Sequence, residues 1–180
     1  MKLSKITIFY SAYIIISAAF MRQVLNFLKS HLSQNGLSVF VWCIFILAGI
    51  PLIYFIKKYI FKQKKYLNFL LLSLIIIIGA YYASTFHIIE ERVHIALFGL
   101  LGFLTVQDFY KQFGRTSIII ALIYSFLIAS IDEIFQYFLP YRFGDIRDVL
   151  FGTIGALWGI AVYFSIFENF TLIKLQEENT

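Results

Sequence analysis

The chain has 180 residues, 61% of them hydrophobic and 14% charged, with a mean hydropathy of +0.83. A water-soluble domain carries about 25% charge and is roughly half apolar, so a chain this greasy cannot hide its surface in its own core. The net charge of +5 sits in short basic blocks between apolar runs, which is the pattern of membrane orientation and argues against nucleic acid as a partner.

The sequence therefore predicts an all-α fold, a polytopic transmembrane bundle of about six helices, or five if the first run is lost as a signal. A helix crosses the hydrocarbon with about 20 residues, and backbone groups must be satisfied within each segment, which leaves helix as the open-chain solution. Lys2 and Lys5 precede an apolar run from Ile6 to Met21, the layout of the first two parts of a signal peptide. No clear small-x-small cleavage site follows, and we read the run as a first span over residues 6–27. The next spans are expected at 37–56 and 66–86, then a short one at 93–107, then 116–139 and 149–167. Pro51 is expected to kink the second span, and Pro140 to end the fifth. The lone Cys43 excludes an internal disulfide, and no paired Cys/His spacing of the structural zinc kind occurs. Residues 1–84 form an N-terminal set of about three helices, 85–167 a second membrane unit, and 168–180 a short tail.

Alternating the spans places ten of the fifteen Lys and Arg residues on one side, led by the cluster from Lys57 to Lys65. Arg22, Lys29, Arg92, Arg142 and Arg147 fall on the other. The positive-inside rule makes the first side cytoplasmic, with both termini there. The protein is then a multi-pass component of the cell (inner) membrane, and the 87–92 and 140–148 segments share the external face.

That face collects the chemistry. Asp132 and Gln136 stand at i and i+4 on the fifth helix, a shared face that Ser125 and Ala129 continue, and Glu133 lies about 100° round. Asp132 precedes Pro140 by eight residues, or roughly 12 Å along a helix. Carboxylates at such depth are costly and mark functional sites: they can ligate a cation, accept a proton or hold a substrate hydroxyl. The bland alternative is a structural ion pair with Arg142 or Arg92. His94 follows Glu90 and Glu91 at same-face spacings, which suits a general base oriented by one of those acids. His87 reads as interfacial and His31 as an ordinary loop residue. Arg142 and Arg147 flank Asp145, with Asp148 next, and could hold a lipid phosphate bidentately or simply brace the loop. The catalytic candidates are thus Glu91, His94, Asp132, Glu133 and Gln136, with Arg92, Arg142 and Asp148 for substrate. Gly99, Gly102, Gly152, Gly155 and Gly159 read as helix-packing residues, and the Phe and Tyr residues as mostly lipid-facing. No nucleophile elbow, phosphate loop or HExxH occurs. Cofactor and metal needs stay open.

The residues Glu91-Arg92-Val93-His94, with Leu97 to Leu104 behind them, resemble the acidic-basic-x-His opening of VanZ-like membrane proteins. Asp132-Glu133-Ile134-Phe135-Gln136, then Pro140, Arg142 and Asp148 before a Gly-rich helix, is similar to that family's second signature. The resemblance covers roughly residues 85–165 and leaves out the first two helices. Arg92 stands where the family often has Lys, Ile95 where Phe is common, and Gly152 where Asn is common. The resemblance implies a link to reduced susceptibility to teicoplanin and related lipoglycopeptides, which act on lipid-linked cell-wall precursors. It therefore implies membrane lipids or such a precursor as partner. Alternatives left open are an enzyme acting on a polyprenyl-phosphate or phospholipid, and a proton-coupled transporter.

Overall fold

A computed structural model describes residues 3–62, 65–86, 89–142 and 144–168, with backbone alone at Leu25, Ile89, Glu90 and parts of the second helix. Lys2, Lys64, His87, Phe143 and the tail from 169, with Lys174, lie outside the described residues. The fold is all-α, with no strand among the described residues: α1 (Lys5–His31), α2 (Gln34–Phe55), α3 (Tyr66–Thr85), α4 (Ile89–Phe113), α5 (Ser117–Tyr137) and α6 (Ile146–Phe167).

Stretches long and apolar enough to cross a membrane run over Lys5–His31, Tyr66–Thr85, Glu91–Tyr137 and Ile146–Phe167. The third comprises α4 and α5, which fold back on each other at a 3-10 turn, Gly114–Thr116, where Gly114 takes a positive φ of 54°. Five helices thus meet the requirement, and the chain is a multi-pass membrane protein. α2 adds 22 residues without a charge.

Several boundaries differ from expectation, each for a local reason. α4 is 25 residues long because it absorbs the polar ends that the hydropathy count trimmed, including Glu91, Arg92 and Asp108. The helical path continues through Pro51, and its departure from α-helical geometry comes later, in a π-helical turn at Ile56–Phe61. α5 ends at Tyr137, three residues before Pro140. There the Phe138 and Leu139 amides donate to Phe135 and Gln136 in tightened turns, since a residue preceding proline resists helical geometry. Asp132 is therefore about 8 Å from the helix end, not 12 Å.

The core is the α4–α6 pair. A Cβ on Gly159 would collide with the Gly99 carbonyl, one on Gly102 with Ala156, and one on Gly155 with Ile95. Only small residues permit this approach, which is how membrane helices gain packing without a hydrophobic drive between them. α5 packs on both partners, α3 on α6, and α1 on α5 and α4. Trp158 lies against Gly79, and its indole donates to the Ile75 carbonyl at 3.0 Å, which holds α3 to α6. Many aromatic side chains lie exposed on the outside of the bundle, Phe9, Tyr81 and Phe138 among them, but a subset is interior. Phe98 and Phe109 are fully buried, and Phe103, Tyr110, Tyr163, Phe164 and Phe167 stack inside the bundle.

α1 is tied to the rest by polar contacts. Asp108 accepts from the Ser4 amide at 2.8 Å and the Thr7 hydroxyl at 2.7 Å. Ser11 bonds the Tyr124 hydroxyl at 2.9 Å, and Tyr10 donates to the Leu97 carbonyl at 3.0 Å. At the other end of α1, Tyr141 donates to the Ala19 carbonyl and Arg22 to the Tyr141 carbonyl.

Candidate functional site

At the end of the bundle where α4 and α6 begin and α5 finishes, four polar side chains converge. α5 supplies Asp132, Glu133 and Gln136, which are 2%, 6% and 1% exposed. The i, i+3 and i+4 spacing brings them together. The Gln136 amide donates to Asp132 Oδ2 at 3.0 Å and to Glu133 Oε1 at 3.1 Å. α4 supplies His94, whose Nε2 is 3.4 Å from Asp132 Oδ2 and 3.8 Å from Glu133 Oε1. Neither contact has hydrogen-bond geometry, and both His94 Nε2 and Asp132 Oδ1 are buried without a hydrogen-bond partner. The His94 ring stacks on Phe98, with centroids 5.4 Å apart.

The loop between α5 and α6 closes over this cluster. Arg142 donates through Nε at 2.9 Å, and through a terminal nitrogen, to Gln136 Oε1. That acceptor fixes the orientation of the Gln136 amide, so its NH2 group must face the two acids. Glu133 Oε2 accepts from the Asp145 amide at 2.8 Å. Gly144 is needed just before it, because a Cβ there would lie 2.9 Å from the Glu133 carbonyl. Asp145 caps α6 by accepting from the Arg147 amide, and it also pairs with the Arg147 guanidinium at 2.6 Å. Hydrogen bonds from that side chain hold the Asp145 carboxyl below its ordinary 3.8. Asp148, in the first turn of α6, lies within electrostatic reach of His94 and Arg142.

The expected residues thus divide. His94, Asp132, Glu133 and Gln136 meet, with Arg142 behind them and Asp148 alongside. Arg92 does not join them: its Nε and a terminal nitrogen donate to the Phe86 carbonyl at 3.0 and 2.6 Å, capping the end of α3. Glu91 forms no hydrogen bond or ion pair with His94 among the described residues, and lies instead within electrostatic reach of Arg147. His94 is approached by α5 acids and not by its own-helix neighbour, because the Gly-mediated contact with α6 turns that side of α4 inward. The alternative reading, a structural ion pair of the α5 acids with Arg142 or Arg92, is not formed among the described residues.

A family model described as VanZ/LLP1 matches residues 6–168. The chain belongs to the VanZ/LLP1 family. The match starts inside α1, so the two signatures alone drew its extent too narrowly when they left out the first two helices. The polar ties from α1 to α4 and α5 give the physical reason, since α1 is part of the same packed unit. No curated protein and no solved structure matches the chain. In this VanZ/LLP1 protein the glycine at 152 also has a local explanation. A Cβ there would lie 3.1 Å from the Phe98 ring and 3.2 Å from Ala129, so the space a longer side chain would use holds the ring that stacks on His94.

Proposed function

We propose that the His94–Asp132–Glu133–Gln136 cluster faces the outside of the cell membrane, with both termini cytoplasmic. There it binds or modifies a membrane lipid or lipid-linked cell-wall component, lowering the action of teicoplanin and related lipoglycopeptides. The orientation rests on the basic bias of the opposite connectors, chiefly Lys57, Lys58, Lys62 and Lys65. The observation that carries the reading is that two carboxylates, an imidazole and an Arg-anchored amide are buried together at a helix-bundle end in a membrane protein. Such groups are expensive there and are rarely retained as glue.

Arg142 suits a headgroup phosphate, because it is half-exposed beside the cluster and its remaining terminal nitrogen forms no hydrogen bond among the described residues. The test is replacement of Glu133 and His94 by alanine in cells that depend on the protein for teicoplanin tolerance. Tolerance should fall to the level of cells lacking the protein while membrane abundance is maintained. Unchanged tolerance at unchanged abundance would refute the reading.

A strict enzyme reading has His94 as base and Arg142 on phosphate during hydrolysis or group transfer on a polyprenyl-phosphate or phospholipid. His94 supports it, since its Nε2 carries no hydrogen bond that would block proton transfer. Mass spectrometry of membrane lipids with and without the protein separates it from simple binding. Transport gains a polar chain, Tyr124–Ser11–Thr7–Asp108, at the opposite end. Between that chain and the acids, however, lies the apolar cluster of Ile14, Phe98, Leu101, Ile128 and Ala129, which argues against a continuous polar path.

A further inference from the structure

We propose that His94, Asp132 and Glu133 bind one divalent metal ion of the zinc or manganese class, whichever lipid the site meets. One ligand atom from each residue lies within 4.8 Å of the others. The separations discriminate between a direct ion pair and a shared ion. An imidazolium hydrogen-bonded to a carboxylate brings N and O to about 2.7–2.9 Å. Donors sharing a four-coordinate metal with bonds of about 2.0–2.1 Å sit roughly 3.3 Å apart along each edge. His94 Nε2 to Asp132 Oδ2 is 3.4 Å and to Glu133 Oε1 3.8 Å, longer than a direct hydrogen-bonded pair, and the trio as a whole lies within 4.8 Å, so the side chains would draw in around an ion.

The hydrogen-bond inventory points the same way. Three of the four carboxylate oxygens are met by donors, from the Gln136 amide and the Asp145 backbone, which orient both groups. The remaining oxygen, Asp132 Oδ1, and the His94 Nε2 are buried without partners, as, elsewhere on α5, is the Ser125 hydroxyl. Both belong to residues of the triad, and an ion held there supplies the missing interaction. Two carboxylates also carry the charge that a divalent ion cancels, in a setting where a buried double negative charge is costly. One imidazole with two carboxylates suits zinc or manganese better than a magnesium or calcium cage, which is built from oxygen alone. Donors that hold the ligands from behind, here Gln136 and through it Arg142, are the usual accompaniment of a metal site. Three protein ligands leave a coordination position for water or a phosphate oxygen.

The test uses the untagged full-length chain in detergent, stripped with chelator and then equilibrated with Zn2+ or Mn2+ alone. Elemental analysis should find one equivalent per chain, lost in His94→Ala and Asp132→Asn and retained in Arg115→Ala. No metal on the wild-type chain, or wild-type loading of both ligand variants, would overturn the proposal. A second measurement does not depend on those variants folding. In a His31→Gln/His87→Gln background, where His94 is the sole imidazole, bound Mn2+ should show one nitrogen coupling by pulsed electron paramagnetic resonance. Bound Mn2+ without that coupling would also overturn the proposal. Both readouts are of metal alone, so unchanged teicoplanin tolerance in the variants beside normal loading of the wild-type chain would fault the functional reading, and absent loading this one.

Discussion

Gly159→Ala should destabilise the protein far more than one methyl group suggests. The added Cβ would meet the Gly99 carbonyl of α4, and the obstacle is backbone, which cannot rotate aside as a side chain can. α4 and α6 must separate or slide, and overpacking of this kind costs about 1–3 kcal/mol. For a chain of this size each kcal/mol shifts the melting temperature by roughly 2–4 °C, so a fall of about 2–12 °C is expected. Because the same contact sets the position of His94 against Asp132, metal loading and teicoplanin tolerance should weaken along with it. The control is Gly49→Ala in α2, where a Cβ meets nothing within 4 Å. That change should be neutral or stabilise by about 0.5–1 kcal/mol, as expected for glycine replaced inside a helix. Thermal unfolding in detergent, followed by tryptophan fluorescence, compares the two. A Gly159→Ala protein that melts like wild type would refute the argument that the α4–α6 approach has no room to give.

Asp108→Ala removes the acceptor of both the Ser4 amide and the Thr7 hydroxyl. Hydrogen bonds to a charged group contribute about 1.5–3 kcal/mol each, so a loss of about 3–6 kcal/mol is expected, together with faster amide exchange in the first turns of α1. Gln136→Leu leaves Asp132 Oδ2, Glu133 Oε1 and Arg142 without their shared partner, and should cost about 3 kcal/mol in the same melting assay. Asp145 is held below its ordinary 3.8 by Arg147, so its pairing stabilises the fold above that pH and is lost as pH falls through the lower folded value. Asp145→Asn should therefore flatten the acid limb of the stability profile, read as melting temperature against pH. An unchanged acid limb would show that the pair is too solvated to matter.

The bundle was legible because its signals are local. Apolar length marks the spans, and the Asp132/Gln136 and Asp132/Glu133 spacings follow from one helix. That His94 would meet those acids was legible only as a shared membrane face. The atomic partner, an α5 acid and not Glu91, depends on how α4 rotates against α6. Arg92 was misplaced for the same reason, since the end of α3 offered it a carbonyl that no spacing rule can reveal. The contact between Gly79 and Trp158 and the anchoring of α1 by Asp108 join residues far apart in the chain, and hydropathy is blind to both. The interior aromatic cluster was hidden because a membrane helix is apolar on every side, so composition cannot tell a core-facing Phe from a lipid-facing one.

The placement of the site on the external face is tested most directly by cysteine accessibility in whole cells. In a Cys43→Ser background, Pro140→Cys reports the loop beside the site and Lys62→Cys the opposite end; both positions are exposed. A membrane-impermeant maleimide should label Pro140→Cys on intact cells, and Lys62→Cys only after the membrane is breached. Labelling in the reverse pattern would put the acids and the imidazole on the cytoplasmic side and contradict the account.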